Sequence, residues 1–232
     1  AKRAYVALEP HIAKSPWTWH EFGRLASQNR ISNSHGAKTL LALSAARGVV
    51  PRPEGGGNQL PSEETILNYW VVQPNDFVFN PMWAIEGGVG VSSIEGAVST
   101  AYRVYELGER LFPRFVHYFL KSDLALLQYR LLVRGVTTFD RSVTREDFES
   151  MPVPAPPLSE QQEIADFLDR ETNRIDAIIG ARLRMIELLE EKRDVSIRDF
   201  VVGSGDREGP PWALSIGDDR KLLRLGSVLE MR

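Results

Sequence analysis

Three short stretches of this chain carry side chains that could act on another molecule. Asn80-Pro81-Met82-Trp83 follows the apolar run Phe77-Val78-Phe79. A side-chain amide and a nearby carbonyl in such a turn could grip an exocyclic amino group while an aromatic ring stacks on an extruded base. Ser44–Arg52 carries Arg47 and Arg52 around a glycine and a proline. Arg134–Arg141 carries Arg134, Thr137, Thr138 and Arg141 around Gly135 and Phe139. Guanidinium and hydroxyl groups on loops that can approach a groove are what reading base edges and phosphates requires. Arg47, Arg52, Asn80, Trp83, Arg134, Thr137, Thr138 and Arg141 are therefore the candidate DNA-binding residues.

Other chemistries find less support. The Asn80 turn is close to the NPP[YFW] signature of adenine-N6 methyltransferases, but the second proline is missing. No glycine-rich turn after an N-terminal strand is present to hold a methyl donor. A strand-ending turn with a packed Trp83 is the expectation there, with Asn80 or Trp83 touching DNA as the alternative. Gly87, Gly88 and Gly90 precede no Gly-Lys-Ser/Thr, so they read as a tight turn rather than a phosphate loop. His11, His20, His35 and His117 lack metal-ligand spacing, and His117 reads as a satisfied packing position. The chain has no cysteine, which removes disulfides, thiolate zinc sites and thiol catalysis. Neither a catalytic constellation nor a cofactor is expected.

The element that must position these loops is the stretch from Met151 to Phe200. Pro152, Pro154, Pro156 and Pro157 lack backbone donors and hold the chain extended, so no helix begins before Leu158. Ser159 stands three residues before Gln162, a capping-box spacing. From Ile164 to Ile197 there is no proline and one glycine, Gly180. About 40 helical residues make a rod of roughly 60 Å. Ile164, Leu168, Ile175, Ile178, Ile179, Leu183, Ile186 and Leu189 recur at intervals of three, four and seven, forming one apolar stripe. Glu171 and Gly180 interrupt it, so it is no long continuous coiled coil. The charges between the stripe residues alternate in sign, as on a solvated face. Ile175, Ile179, Ile186 and Leu189 are the candidate pairing positions for an antiparallel helix from a second copy or a second half.

Composition narrows the class. The 232 residues carry a net charge of −3, and residues 1–158 hold 16 Lys/Arg against 15 Asp/Glu. Small, very basic DNA readers look different, which argues against tight autonomous binding while leaving room for a local basic surface or a shared one. No stretch approaches the roughly 18 apolar residues of a membrane span, and no signal peptide is visible, so a cytoplasmic protein is expected. Strands are expected at Thr39–Ser44, Asn68–Val72 and Asp76–Asn80, with Gly87–Ser92 and Ala97–Tyr105 paired around Ile94–Gly96. Around Phe22–Leu25 the pattern allows a strand or a short helix. Residues 54–62 and 134–142 read as loops. A helix starts at Pro113 and carries Phe115, Phe119, Leu124, Leu127 and Leu131.

Taken together, these words resemble the specificity subunit of type I restriction-modification systems. Pro156-Pro157-Leu158-Ser159-Glu160-Gln161-Gln162, Ile164-Ala165-Asp166-Phe167-Leu168-Asp169 and Ile186 to Arg193 resemble the start and end of that family's spacer helix. Leu43-Ser44 with Arg47 to Arg52, and Asn75 to Trp83 with Gly87 to Val91, resemble motifs of its recognition domain. The likeness covers residues 17–200, in the family's order. It implies an α+β fold with a target-recognition domain (1–158), a long helix able to form an antiparallel coiled coil (159–202), and a linker with the start of a second half (203–232). Arg224-Leu225-Gly226-Ser227 echoes Arg24-Leu25-Ala26-Ser27, as a second half would. The implied function is non-catalytic selection of a site in double-stranded DNA. Methyltransferase subunits, and through them a restriction subunit, are the implied partners, with a homodimer through the helix. A free-standing adenine-N6 DNA methyltransferase is the alternative.

Overall fold

The computed structural model describes residues 10, 12, 14–36, 38–45, 47–52, 61–135 and 141–202, with side chains through Arg198. Two compact units emerge, Ala1–Glu171 and Thr172–Arg232. The first is α+β, as expected from the sequence.

In chain order its elements are β1 (Trp19–Glu21), a 3-10 turn at Phe22–Arg24, β2 (Ala26–Asn29), β3 (Leu41–Ser44), β4 (Gly48–Pro51) and α1 (Glu63–Leu67). Next come β5 (Trp70–Val72), β6 (Phe77–Phe79), a 3-10 turn at Ala84–Glu86, β7 (Val89–Val91), β8 (Gly96–Val98) and β9 (Arg103–Leu107). They are followed by α2 (Pro113–Lys121), α3 (Asp123–Leu132), α4 (Arg145–Glu149), β10 (Pro152–Pro154) and α5 (Leu158–Val202).

An antiparallel sheet in the order β2-β9-β6-β7 forms the centre. Successive strand side chains point to opposite faces, so the all-apolar Phe77-Val78-Phe79 can bury both. Phe77 and Phe79 join Tyr105 and Val89 beneath the helices, where Val116, Leu120, Ala125, Tyr129 and Phe148 close the main core. Val78 and Val104 face the other way, toward Leu41, Leu43 and Val49 of the β3–β4 ladder and Val72 and Val98 of β5–β8. Phe148 is wholly buried and stacks on Phe79 at 4.1 Å between ring centroids and on Phe77 at 5.8 Å. The short α4 that carries it is capped by the Thr144 hydroxyl, which accepts from the Asp147 amide.

Several expectations need correction. Ala97–Tyr105 is two strands, and they belong to different ladders: β8 pairs with β5, while β9 lies between β2 and β6. β7 pairs with β6 rather than with the strand beyond Ile94–Gly96. The helix begun at Pro113 breaks at Ser122, whose extended backbone ends α2 and whose hydroxyl accepts from Ala125 to cap α3. Spacing alone missed this break because both helices keep the same period, and Leu127 is in fact exposed. The proline strap is extended as expected, but three of its residues form β10 against β1, with Val153 opposite His20. Ser159 falls inside the first turn of α5, and the Gln161 amide donates to the Pro157 carbonyl at 3.0 Å. The echo at 224–227 and the segment 203–211 lie outside the described residues, as does most of the loop 54–62.

The first turns of α5 dock on the first unit through side chains the sequence does not reveal as partners. Gln161 is buried and bonds to the Phe112 amide and to the carbonyls of Arg110 and Pro156, each at 2.8 Å. Trp17 donates its indole N–H to Glu160 at 2.9 Å. Arg114 bridges Asp166 at 2.6 Å and also Asp169, which Tyr118 bonds in turn. Burial would raise the Asp169 carboxyl, but the Tyr118 hydroxyl and the Arg114 guanidinium outweigh it and hold the group below the usual carboxylate range. No helix among the described residues is long and apolar enough to cross a membrane.

Candidate nucleic-acid interface

The turn after β6 is built around the backbone of Trp83. Asn80 donates its amide to the Gly88 carbonyl at 2.9 Å, Trp83 donates to Asn80 at 3.1 Å, and Gly88 donates to Trp83 at 2.8 Å. The Asn80 side-chain oxygen accepts from the Met82 amide at 3.0 Å. Gly87 adopts a left-handed φ of 80° to close the 3-10 turn. A Cβ on Gly88 would meet the Trp83 Cβ and carbonyl oxygen at 2.8 Å, so this position admits only glycine. The result is a stiff tip with Met82 37% and Trp83 52% exposed. Trp83 is therefore not the packed residue expected. Asn80 is buried, and its side-chain oxygen helps to hold the turn.

The β3–β4 turn borders this tip. Ser44 Oγ accepts from the Arg47 amide at 3.2 Å, and Gly48 takes a left-handed φ of 72°. Gly90 comes so close that an added Cβ would lie 3.1 Å from the Gly48 Cα, while one on Gly87 would meet the Ala45 carbonyl at 3.9 Å. Arg47 is exposed and Arg52 is half-buried. Arg52 lies near Tyr102, a residue that the sequence reading missed. Burial raises the Tyr102 phenol, opposed by the Arg52 charge and by a hydrogen bond with Asn80. Thus Asn80, Tyr102 and Arg52 adjoin at the mouth of β6 and β9.

The third loop is clasped at its base. Arg134 and Ser142 exchange backbone hydrogen bonds at 2.8 Å, Gly135 takes a φ of 91°, and Val143 donates to the Pro81 carbonyl at 3.0 Å. That last bond ties the loop to the Met82–Trp83 tip. Arg134 pairs with Asp147 at 2.7 Å, and Arg141 pairs with Glu86 of the 3-10 turn. Burial works to raise the Asp147 carboxyl, yet Thr144 and Arg134 bring it below its ordinary value. Thr137 and Thr138 lie outside the described residues. The turn from Asn80 to Gly88 thus has Arg141 on its Glu86, the Arg47 loop near its Gly87 and Arg52 near Tyr102 at its Asn80 end, with Arg134 on the other side of the clasp. A phosphate or base reaching Arg134 or Arg141 must compete with a carboxylate already there.

His117 is the satisfied packing position expected. Its Nδ1 accepts from the Val91 amide at 3.2 Å, and burial, aided by Lys121, pushes its pKa down to about 4. Among the described residues, no group of three or more His, Cys, Asp or Glu side chains could hold a metal ion.

From Thr172 to Arg198 the helix α5 exposes every residue but Gly180. Ile175, Ile179, Ile186 and Leu189 are each about half exposed, between 49% and 59%, so these four positions of the stripe are uncovered among the described residues.

Residues 82–188 match a family model, and it begins within the exposed tip and runs into the stripe. The family is the type I restriction modification DNA specificity domain. The resemblance read from the motifs is thereby supported as type I specificity-subunit-like. The fold agrees with a structure described as underlying complex assembly and conformational transition of the type I R-M system. It is 19% identical with a TM-score of 0.54, over 85% of this chain and 52% of that one. The HsdS subunit from Thermoanaerobacter tengcongensis is also similar (18% identity, TM-score 0.47, 78% of this chain and 46% of that one). So is the S subunit of the type I restriction-modification system from M. genitalium (14% identity, TM-score 0.44, 82% and 46%). The chain spans about half the length of each. No curated protein sequence matches it.

Proposed function

We propose that this chain is a DNA-reading specificity subunit of a type I restriction-modification complex. It selects the site in double-stranded DNA, and it leaves adenine methylation to a methyltransferase subunit and cleavage to a restriction subunit. The observation that carries this reading is the specificity-domain match over residues 82–188, which includes Trp83, Arg134, Arg141 and the pairing stripe as far as Ile186. The near-neutral charge of residues 1–158 suits a reader that shares its phosphate contacts with a partner. In this reading the first unit reads one half of a split target. The uncovered stripe pairs antiparallel with the same helix of a second copy or of a second half, which sets the gap between the halves. The rival, a free-standing adenine-N6 methyltransferase, is disfavoured because the Asn80 turn lacks the second proline and no glycine-rich donor turn accompanies it.

The test is reconstitution. The chain with its methyltransferase partner should transfer methyl groups to adenine at a defined site, while the chain alone transfers none and does not bind S-adenosylmethionine. Saturable donor binding by the pure chain, or methylation without the partner, would overturn the reading.

A further inference from the structure

We propose that Met82 and Trp83 form an apolar wedge that opens one base step of bound duplex DNA and stacks against it. The inference rests on the DNA-reading function and assigns a job to the tip. Trp17 and Trp19 pack edge-on against Phe115 and Phe119, at 6.5 and 5.9 Å between centroids. Trp83 has no ring partner of this kind among the described residues, and over half its surface meets solvent. A lone exposed indole is unremarkable on a protein surface. Here, however, it stands beside the exposed Met82 on a backbone fixed by Asn80, Gly87 and Gly88, so little backbone freedom remains to be lost on binding. Arg47 belongs to the β3–β4 turn that approaches Gly87, Arg52 acts on Tyr102 next to Asn80 at the base of the tip, and Glu86 is already neutralised by Arg141. Cations around an apolar point suit a polyanion with stackable faces better than a second protein surface. Apolar side chains inserted between base pairs unstack and kink a duplex in this manner, and the unstacking cost falls least on flexible steps.

The test assembles the full chain with its methyltransferase partner on cognate duplexes carrying thymines at successive positions. Permanganate then reports which thymines lose their stacking. The parent should render one step reactive apart from the methylated adenine. Trp83→Phe should retain that reactivity, whereas Trp83→Ala should lose it and bind roughly tenfold more weakly, as loss of one base–aromatic stack implies. No reactive step in the parent, or a Trp83→Ala complex indistinguishable from it, would overturn the wedge. So would a Trp83→Ala chain that fails to assemble with the methyltransferase in the absence of DNA, since the tip would then be a protein contact. A parent assembly that binds no duplex at all would instead sink the underlying DNA-reading function, and the wedge with it.

Discussion

The side-chain oxygen of Gln161 accepts the backbone amide of Phe112 across 49 positions of sequence. Phe112 stands at the N-cap of α2, so this bond satisfies an amide that the helix itself leaves without a partner. The side-chain nitrogen of Gln161 donates to Arg110 and Pro156, and the whole residue is buried. One glutamine therefore joins the strap, the start of α2 and the first turn of α5.

Gln161→Leu should destabilise the first unit by about 2–3 kcal/mol, because an amide and two carbonyls lose their partner in a buried place. Chemical denaturation should show a lower midpoint with the same slope. A change within about 0.5 kcal/mol would mean that water replaces the glutamine.

Stability should fall in two steps as the solution is acidified. His117 has a folded pKa of about 4 against an ordinary 6.5, so its contribution is complete above pH 6.5 and is lost as pH falls toward 4. Asp169 is depressed below its ordinary 3.8, so its contribution is present above that value and is lost further down as the carboxyl protonates. His117→Gln should flatten the first step, and Asp169→Asn the second. Unchanged pH profiles in both variants would contradict these assignments.

The sequence made the local elements legible and the long-range joints illegible. Proline spacing placed the start of α5 at Leu158, and the three-four-seven recurrence found the stripe, since both are properties of neighbouring residues. The pairing of β9 with β2 and β6, and of β10 with β1, depends on which distant surfaces need covering, and no local pattern records that. The same holds for the site. Glycine-rich loops and arginines marked the three stretches, but Glu86 and Asp147 as their carboxylate partners, and Tyr102 beside Arg52, follow only from the folded arrangement. Trp83 was misjudged because an aromatic residue ending an apolar strand is usually core, whereas here the turn directs it outward.

The uncovered stripe should drive association. Sedimentation of the chain with DNA should give a dimer or a complex holding two recognition units, and Ile179→Glu with Ile186→Glu should reduce it to a monomer without unfolding the first unit. A parent chain that stays monomeric both alone and on DNA would exclude the pairing of two copies.

The four arginines should separate into two classes. Where Arg→Ala removes a phosphate contact, binding to all sequences weakens alike and the salt slope falls by about one unit. Where it removes a bidentate guanine contact, the loss is about 1–3 kcal/mol and preference relaxes at one base pair. At least one of Arg134 and Arg141 is expected in the second class, exchanging Asp147 or Glu86 for a base. Titration of Arg47, Arg52, Arg134 and Arg141 variants against cognate and single-mismatch duplexes at two salt concentrations assigns each. Four variants that bind and discriminate like the parent would remove these loops from the interface.

The most direct measurement is selection of duplexes from a random library by the chain assembled with the proposed methyltransferase partner. The expected result is enrichment of an interrupted target whose two specified parts are separated by a fixed gap, with recovery falling when one base pair of either part is changed. A bound pool with no sequence preference, or one equally enriched by the methyltransferase without this chain, would contradict it.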